Sequence, residues 1–217
     1  MRSVPGWGVV TSTAAPVLLI GGWTLTAALR PDHFTSVTDT ISALAAIGAP
    51  NRWVMTVALV GVGAAHIGTA LALRPAASAA RCLLATGGTA TVLVALNPLP
   101  GGSTPAPAHA LAAGVSFIAL AVWPAISWNR RRPALPSDEA PGGKADLEPV
   151  PASFRPVTAL GASAVLLIGL GWFFAELAGR TDRVGLSERV AAGGQALWPL
   201  AAILQTRRAQ RAWKTSP

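Results

Sequence analysis

The chain has 217 residues, 52% of them hydrophobic and only 12% charged, with a mean hydropathy of +0.49. A soluble domain carries about 25% charged residues, so the composition excludes an ordinary water-soluble protein and makes lipid the main solvent. The net charge of +8 sits in short clusters between apolar runs. That pattern fits membrane topology rather than the basic footprint of a nucleic-acid binder, and no nucleic-acid partner is expected.

The first apolar run, Val9 to Leu29, carries no charge. At about 1.5 Å per residue it can cross a ~30 Å hydrocarbon core, and it is longer than the apolar region of a cleaved signal peptide. After it, Ser36-Val37-Thr38-Asp39 fits a capping box, with Ser36 as N-cap and Asp39 at N3. Ile41, Leu44 and Ala45 then predict a short amphipathic or re-entrant helix. Further spans are expected over Trp53–Leu73, Cys82–Leu99, Ala108–Trp128, Val157–Ala178 and Val190–Thr206. The third and sixth are short, with room to extend past Arg81 and Arg189, whose side chains can snorkel. Asn129 to Pro156, rich in Pro, Gly and charge, reads as a flexible cytoplasmic linker. The expected fold is therefore all-α, a single polytopic transmembrane bundle of about six helices. Cys82, the one cysteine, allows no intramolecular disulfide and reads as a small apolar filler.

Orientation follows from the loop charges. With the N-terminus inside, the cytoplasmic segments hold Arg2, Arg74, Arg81, Arg130, Arg131, Arg132, Lys144, Arg155, Arg207, Arg208, Arg211 and Lys214, and the external ones Arg30, Arg52, Arg180, Arg183 and Arg189. Twelve of the 17 basic residues thus lie inside, which predicts an N-in, C-in protein, and the abundance of Ala, Gly, Pro and Arg with no Tyr points to a bacterial source and so to the plasma membrane. Trp7, Trp53, Trp128 and Trp213 fall at span ends, where an interfacial aromatic belt belongs. Gly61, Ala65 and Gly68 share one face of the second span, and Gly87, Gly88, Gly193 and Gly194 recur later; such residues let helices approach closely in lipid.

Ionisable residues at membrane depth are functional suspects. Most fall toward the external side: Asp32, His33 and Asp39 in the first loop, Asn97 at the end of the third span, His109 a turn into the fourth, Glu176 near the end of the fifth, and Glu188 and Arg189 before the sixth, with Gln195 deeper. Each also has a structural role open to it. Asp39 can cap a helix, Glu176 can pair with Arg180 at i,i+4, and Glu188 can face the positive end of its own helix. His66 lies about 20 Å from the outer end of its span and is expected to bond Thr69 or a nearby carbonyl. His33, His109 and Asp39 fall in one region, but no HxxxH, HxH or HExxH spacing exists, so no metal is expected. No phosphate loop, dinucleotide fingerprint or GxSxG elbow occurs, so no cofactor is expected.

Three short motifs carry a family resemblance: Asp39-Thr40-Ile41-Ser42-Ala43-Leu44, Asn97-Pro98-Leu99-Pro100 ahead of His109, and Gly185-Leu186-Ser187-Glu188-Arg189. Together they resemble the family catalogued as domain of unknown function 998, small bacterial and archaeal membrane proteins. The resemblance implies the same helix count and no established reaction. In that family an acidic residue often follows the proline where this chain has Leu99-Pro100-Gly101-Gly102, so no carboxylate role carries over there.

The residues support three functional readings. The first is an acid–base enzyme on a membrane-dissolved lipid or isoprenoid, for example in proton-initiated cyclisation. Asp39, His109 and Glu176 would be its catalytic groups, and Trp23, Trp172, Phe173, Asn97 and Gln195 would line the substrate. The second is a proton-coupled transporter with His66 and Gln195 as stepping stones. The third is a non-catalytic assembly partner whose basic tail holds lipid headgroups.

Overall fold

The computed structural model describes residues 3–30, 34–100, 106–128 and 151–214. Among these there is helix and turn but no strand. The apolar runs form α1 (Trp7–Ala28), α3 (Arg52–Ala72), α4 (Ser78–Leu96), α5 (Pro107–Val122) and α6 (Pro156–Gly179), and α7 (Val184–Lys214) follows. A short helix, α2 (Ile41–Leu44), sits in the connection between α1 and α3. Helix α5 tightens into a 3-10 turn over Trp123–Ile126, and a second 3-10 turn, Ala152–Phe154, leads into α6. Pro107 and Pro156 open α5 and α6, where a missing amide proton is no loss.

Five helices, α1, α3, α4, α5 with its 3-10 extension, and α6, are long and apolar enough to cross a membrane. A helix keeps every backbone polar group bonded within itself, which hydrocarbon requires. Val157, Ile168 and Leu111 are 84%, 72% and 70% exposed, an apolar exterior that water would not tolerate and lipid does. The protein is a multi-pass membrane protein. Helix α7 differs in composition: at 31 residues it is long enough to span, but Glu188 and Arg189 lie near its start and Arg207, Arg208 and Arg211 near its end.

The six long helices close a ring. Each packs on the next in chain order, and α7 returns to pack on α1. Helix α2 lies across one end of this ring, against α1 and α7. Close approach depends on small residues. A Cβ on Gly63 would lie 2.5 Å from the Gly88 carbonyl oxygen, and one on Gly88 would lie 2.6 Å from that of Gly63, so α3 and α4 meet backbone to backbone. Gly61 and Gly68 face Leu18 and Thr11 of α1, so the small-residue face of the second span is a helix contact.

Several sequence expectations shift. The third span starts at Ser78 because Arg81 turns back to donate to the Ala70 and Leu71 carbonyls (2.7 and 3.3 Å), capping the end of α3. Cys82 is exposed on α4 and fills no gap. The linker expected over 129–156 lies outside the described residues up to 150. Its last part is packed structure, because Phe154 inserts among Leu84, Trp123 and Ile203. The capping box is replaced as well. Thr40 is the N-cap of α2, its hydroxyl accepting from Ala43 N, while the Asp39 carboxylate turns back to Thr35 N at 2.7 Å. Trp7, Trp53 and Trp213 stand exposed at helix ends.

Candidate functional site

The segments Asp39–Leu44, Asn97–Pro100 with His109, and Gly185–Arg189 are far apart in sequence and meet at the α2 end of the ring. Leu186 N donates to Val37 O at 2.9 Å, and Ile47 N to Leu99 O at 2.8 Å. Arg189 locks the junction: its Nη1 donates to the carbonyls of Ser36, Asp39 and Gly185 at 2.7, 2.7 and 2.8 Å. The guanidinium carbon lies 5.9 Å from the Trp23 ring centroid and 5.7 Å from that of Phe34, within cation–π range. Gly185 permits this contact, since a side chain there would collide with the Asp39 peptide.

Glu188 is the buried acid of this knot. Its Oε2 accepts from Ile41 N at 2.5 Å, and the Ser42 amide and hydroxyl also face the carboxylate. Ser42 Oγ lies 3.2 Å from His109 Nε2, and His109 Nδ1 lies 2.8 Å from the Asn97 carbonyl oxygen. A carbonyl only accepts, so Nδ1 donates there, and Nε2 is left to exchange a proton with Ser42. The Ser42 hydroxyl thus stands between an imidazole and a carboxyl. It can pass a proton either way by giving up one as it takes another. The Glu188 acid does face a helix start, but that of α2 rather than its own helix, because α7 begins a full turn earlier than the sequence suggested.

Beneath the knot is a cavity of about 60 Å³ inside the bundle. Its polar lining consists of Glu188, Ser42, Gln195, Thr91, Ser116 and His66, between apolar walls that include Leu59, Val62 and Phe117. Glu188 and Gln195 lie two turns apart on α7, so the cavity extends about 10 Å along the bundle. Gln195 Nε2 donates to Phe117 O at 3.0 Å. His66 is buried, and its Nδ1 has no hydrogen-bond partner among the described residues. The expected bond to Thr69 is absent because that hydroxyl serves its own i−4 carbonyl, Ala65 O, at 2.8 Å and meets Thr11 Oγ1 at 3.2 Å. The Thr69–Thr11 pair continues the polar line beyond His66, one turn further along α3.

The structure separates the other sequence candidates. Gln195 lines the cavity, and His109 joins it through Ser42. Asp39 lies outside it, beside a surface pocket with Arg30 and Phe34. Glu176 accepts from Trp172 Nε1 at 2.8 Å and from the Thr181 hydroxyl, bonds that replace the expected pairing with Arg180. Trp23 packs over Arg189, and Phe173 stacks behind Phe117 with ring centroids 5.3 Å apart. Asn97 contributes its carbonyl, while its side chain bonds Leu93 O of its own helix. Asp32 and His33 lie outside the described residues. Among those described, no three His, Cys, Asp or Glu residues are grouped to hold a metal. Sequence reasoning places Glu188 and Arg189 among the ionisable suspects, with a capping role for Glu188 on its own helix, and does not single out Ser42, although all three stand in the short motifs.

These features define a multi-pass α-helical membrane protein with a polar cavity closed at one end by a hydrogen-bonded knot. The chain belongs to the family described as Protein of unknown function (DUF998), whose sequence model matches residues 13–205 and so takes in all three motifs. No curated protein and no solved structure matches the chain.

Proposed function

We propose that this protein is a proton-linked carrier of a small solute in the bacterial plasma membrane, with the internal cavity as solute site and Glu188 as proton-exchanging group. One observation carries the reading: Glu188, bonded to Ile41 N next to Ser42 of the Ser42–His109 pair, lines with Ser42 a cavity that His66 also reaches from deeper in the bundle. In this reading the apolar stretch Val190–Thr206 of α7 is a sixth span and both termini lie inside, as the loop charges favour. The knot then faces outward, and Arg207 and Arg208 meet anionic headgroups of the inner leaflet.

The geometry favours a carrier over a lipid or isoprenoid enzyme. Asp39 lines a separate surface pocket, and Glu176, Trp23, Trp172 and Phe173 do not line the internal cavity. Its 60 Å³ is well under the ~150 Å³ that admits benzene in an engineered apolar cavity. The polar groups also run along the bundle instead of clustering at one depth, as a pathway requires.

Liposomes holding the protein and a trapped pH indicator, offered a panel of small amines, amides and alcohols under a proton gradient, test this directly. At least one solute should change the internal pH faster than in empty liposomes. Glu188→Gln should abolish that difference, while Glu176→Gln should retain it. Wild-type rates in Glu188→Gln, or no response to any solute, would contradict the carrier.

A further inference from the structure

The proton assignments around the cavity restrict what it can bind. Thr91 has one hydroxyl proton, which goes to Gly87 O at 2.9 Å. In the 2.8 Å contact between Thr91 and Ser116, Ser116 is therefore the donor, so both hydroxyl protons are committed and Ser116 keeps only lone pairs. Glu188 adds carboxylate oxygens. His66 adds a buried ring whose Nδ1 has no partner among the described residues. The nearest fixed cation, Arg189, is not part of the lining; its Nη1 serves the loop carbonyls, and its buried Nε and Nη2 have no partner among the described residues. Phe117 supplies an aromatic ring, and Leu59 and Val62 an apolar wall.

An anion such as a carboxylate or phosphate would meet lone pairs there and gain few donors. A compact cation bearing N–H groups meets acceptors, an opposite charge and a π system. We propose that the cavity is a binding site for ammonium or a small primary alkylammonium ion, with the Glu188 carboxylate as countercharge at its head, Ser116 as a hydrogen-bond acceptor within it, and Leu59 and Val62 as the wall for any alkyl group. This assignment deepens the carrier reading and rests on it for transport, though binding is measured separately.

The probe is radiolabelled methylammonium, in equilibrium dialysis against the purified full-length protein in detergent, with each variant first shown to be monodisperse. Wild type should bind it saturably. Ammonium should displace it, while acetate and tetramethylammonium, which has no N–H, should not. Ser116→Ala, a small change in a buried site, should weaken binding about tenfold by removing an acceptor to a charged donor, and Glu188→Gln should abolish it. Displacement by tetramethylammonium as effective as by ammonium would overturn the assignment, as would unchanged affinity in Ser116→Ala. Absence of methylammonium binding alongside solute-driven proton movement overturns the amine and leaves the carrier intact. Binding without any such movement upholds the amine site and removes the carrier.

Discussion

Arg189→Met is expected to destabilise the folded protein by about 3–5 kcal/mol, the usual consequence of removing one partner from a buried charged cluster. Three carbonyls, of Ser36, Asp39 and Gly185, lose their shared donor, and Glu188 loses the positive charge beside it. A carbonyl left without a partner costs about 1–3 kcal/mol where it is buried. Those of Ser36 and Asp39 are partly buried and that of Gly185 keeps its backbone bond within α7, so the carbonyls supply part of the loss and the uncompensated charge of Glu188 the rest. Methionine keeps most of the side-chain volume, and the effect therefore reads the hydrogen bonds and charge and not a cavity. The midpoint for thermal loss of monodispersity in detergent should fall by roughly 10 °C, on the scaling of soluble domains of this length. A midpoint within a degree of wild type would mean that Arg189 does not hold the loop to α7.

Gly185→Val should be nearly as damaging, for a steric reason. Gly185 lies in α7 with ordinary helical backbone, so a side chain would improve helix propensity by up to about 1 kcal/mol. Against this, a Cβ would run into the carbonyl oxygen of Asp39 and lie 2.8 and 2.9 Å from its carbonyl carbon and amide nitrogen. These are backbone atoms that no rotamer change can move. Relief requires α7 to back away from the loop, which breaks the Leu186–Val37 and Arg189–Asp39 bonds. Overpacking of about 1–3 kcal/mol together with those bonds outweighs the propensity gain. Gly171→Ala, where nothing lies within 4 Å, should be neutral or slightly stabilising in the same assay. Equal behaviour of the two variants would sink the steric account.

Much of the architecture was legible because hydrocarbon imposes a simple length rule on uncharged runs, and α1, α3 and α6 match their expected spans to within about two residues. One departure falls where charges ended an apolar run too early. Glu188 and Arg189 made the last helix seem to begin at Val190, yet it begins at Val184 because both side chains bond the connection before α3. That bonding joins residues some 150 positions apart, beyond the reach of any local pattern. The same limit explains the site. Asp39 and Glu188 both stand near helix starts, and spacing could not say which would line a cavity. Gln195 was legible because an amide in an apolar span has few ways to be satisfied, and it meets both the cavity and the Phe117 carbonyl. His66 was read as bonded to Thr69, a local partner that serves Ala65 and Thr11 instead.

The account depends on Glu188 gaining and losing a proton at the head of the cavity. Infrared difference spectra of the reconstituted protein, recorded between acidic and alkaline pH with ¹³C-labelled glutamate, observe that proton directly. A glutamic-acid carbonyl band that disappears on deprotonation in wild type and is missing from Glu188→Gln is the predicted result. The same band persisting unchanged in Glu188→Gln would assign the exchanging carboxyl elsewhere and contradict the account.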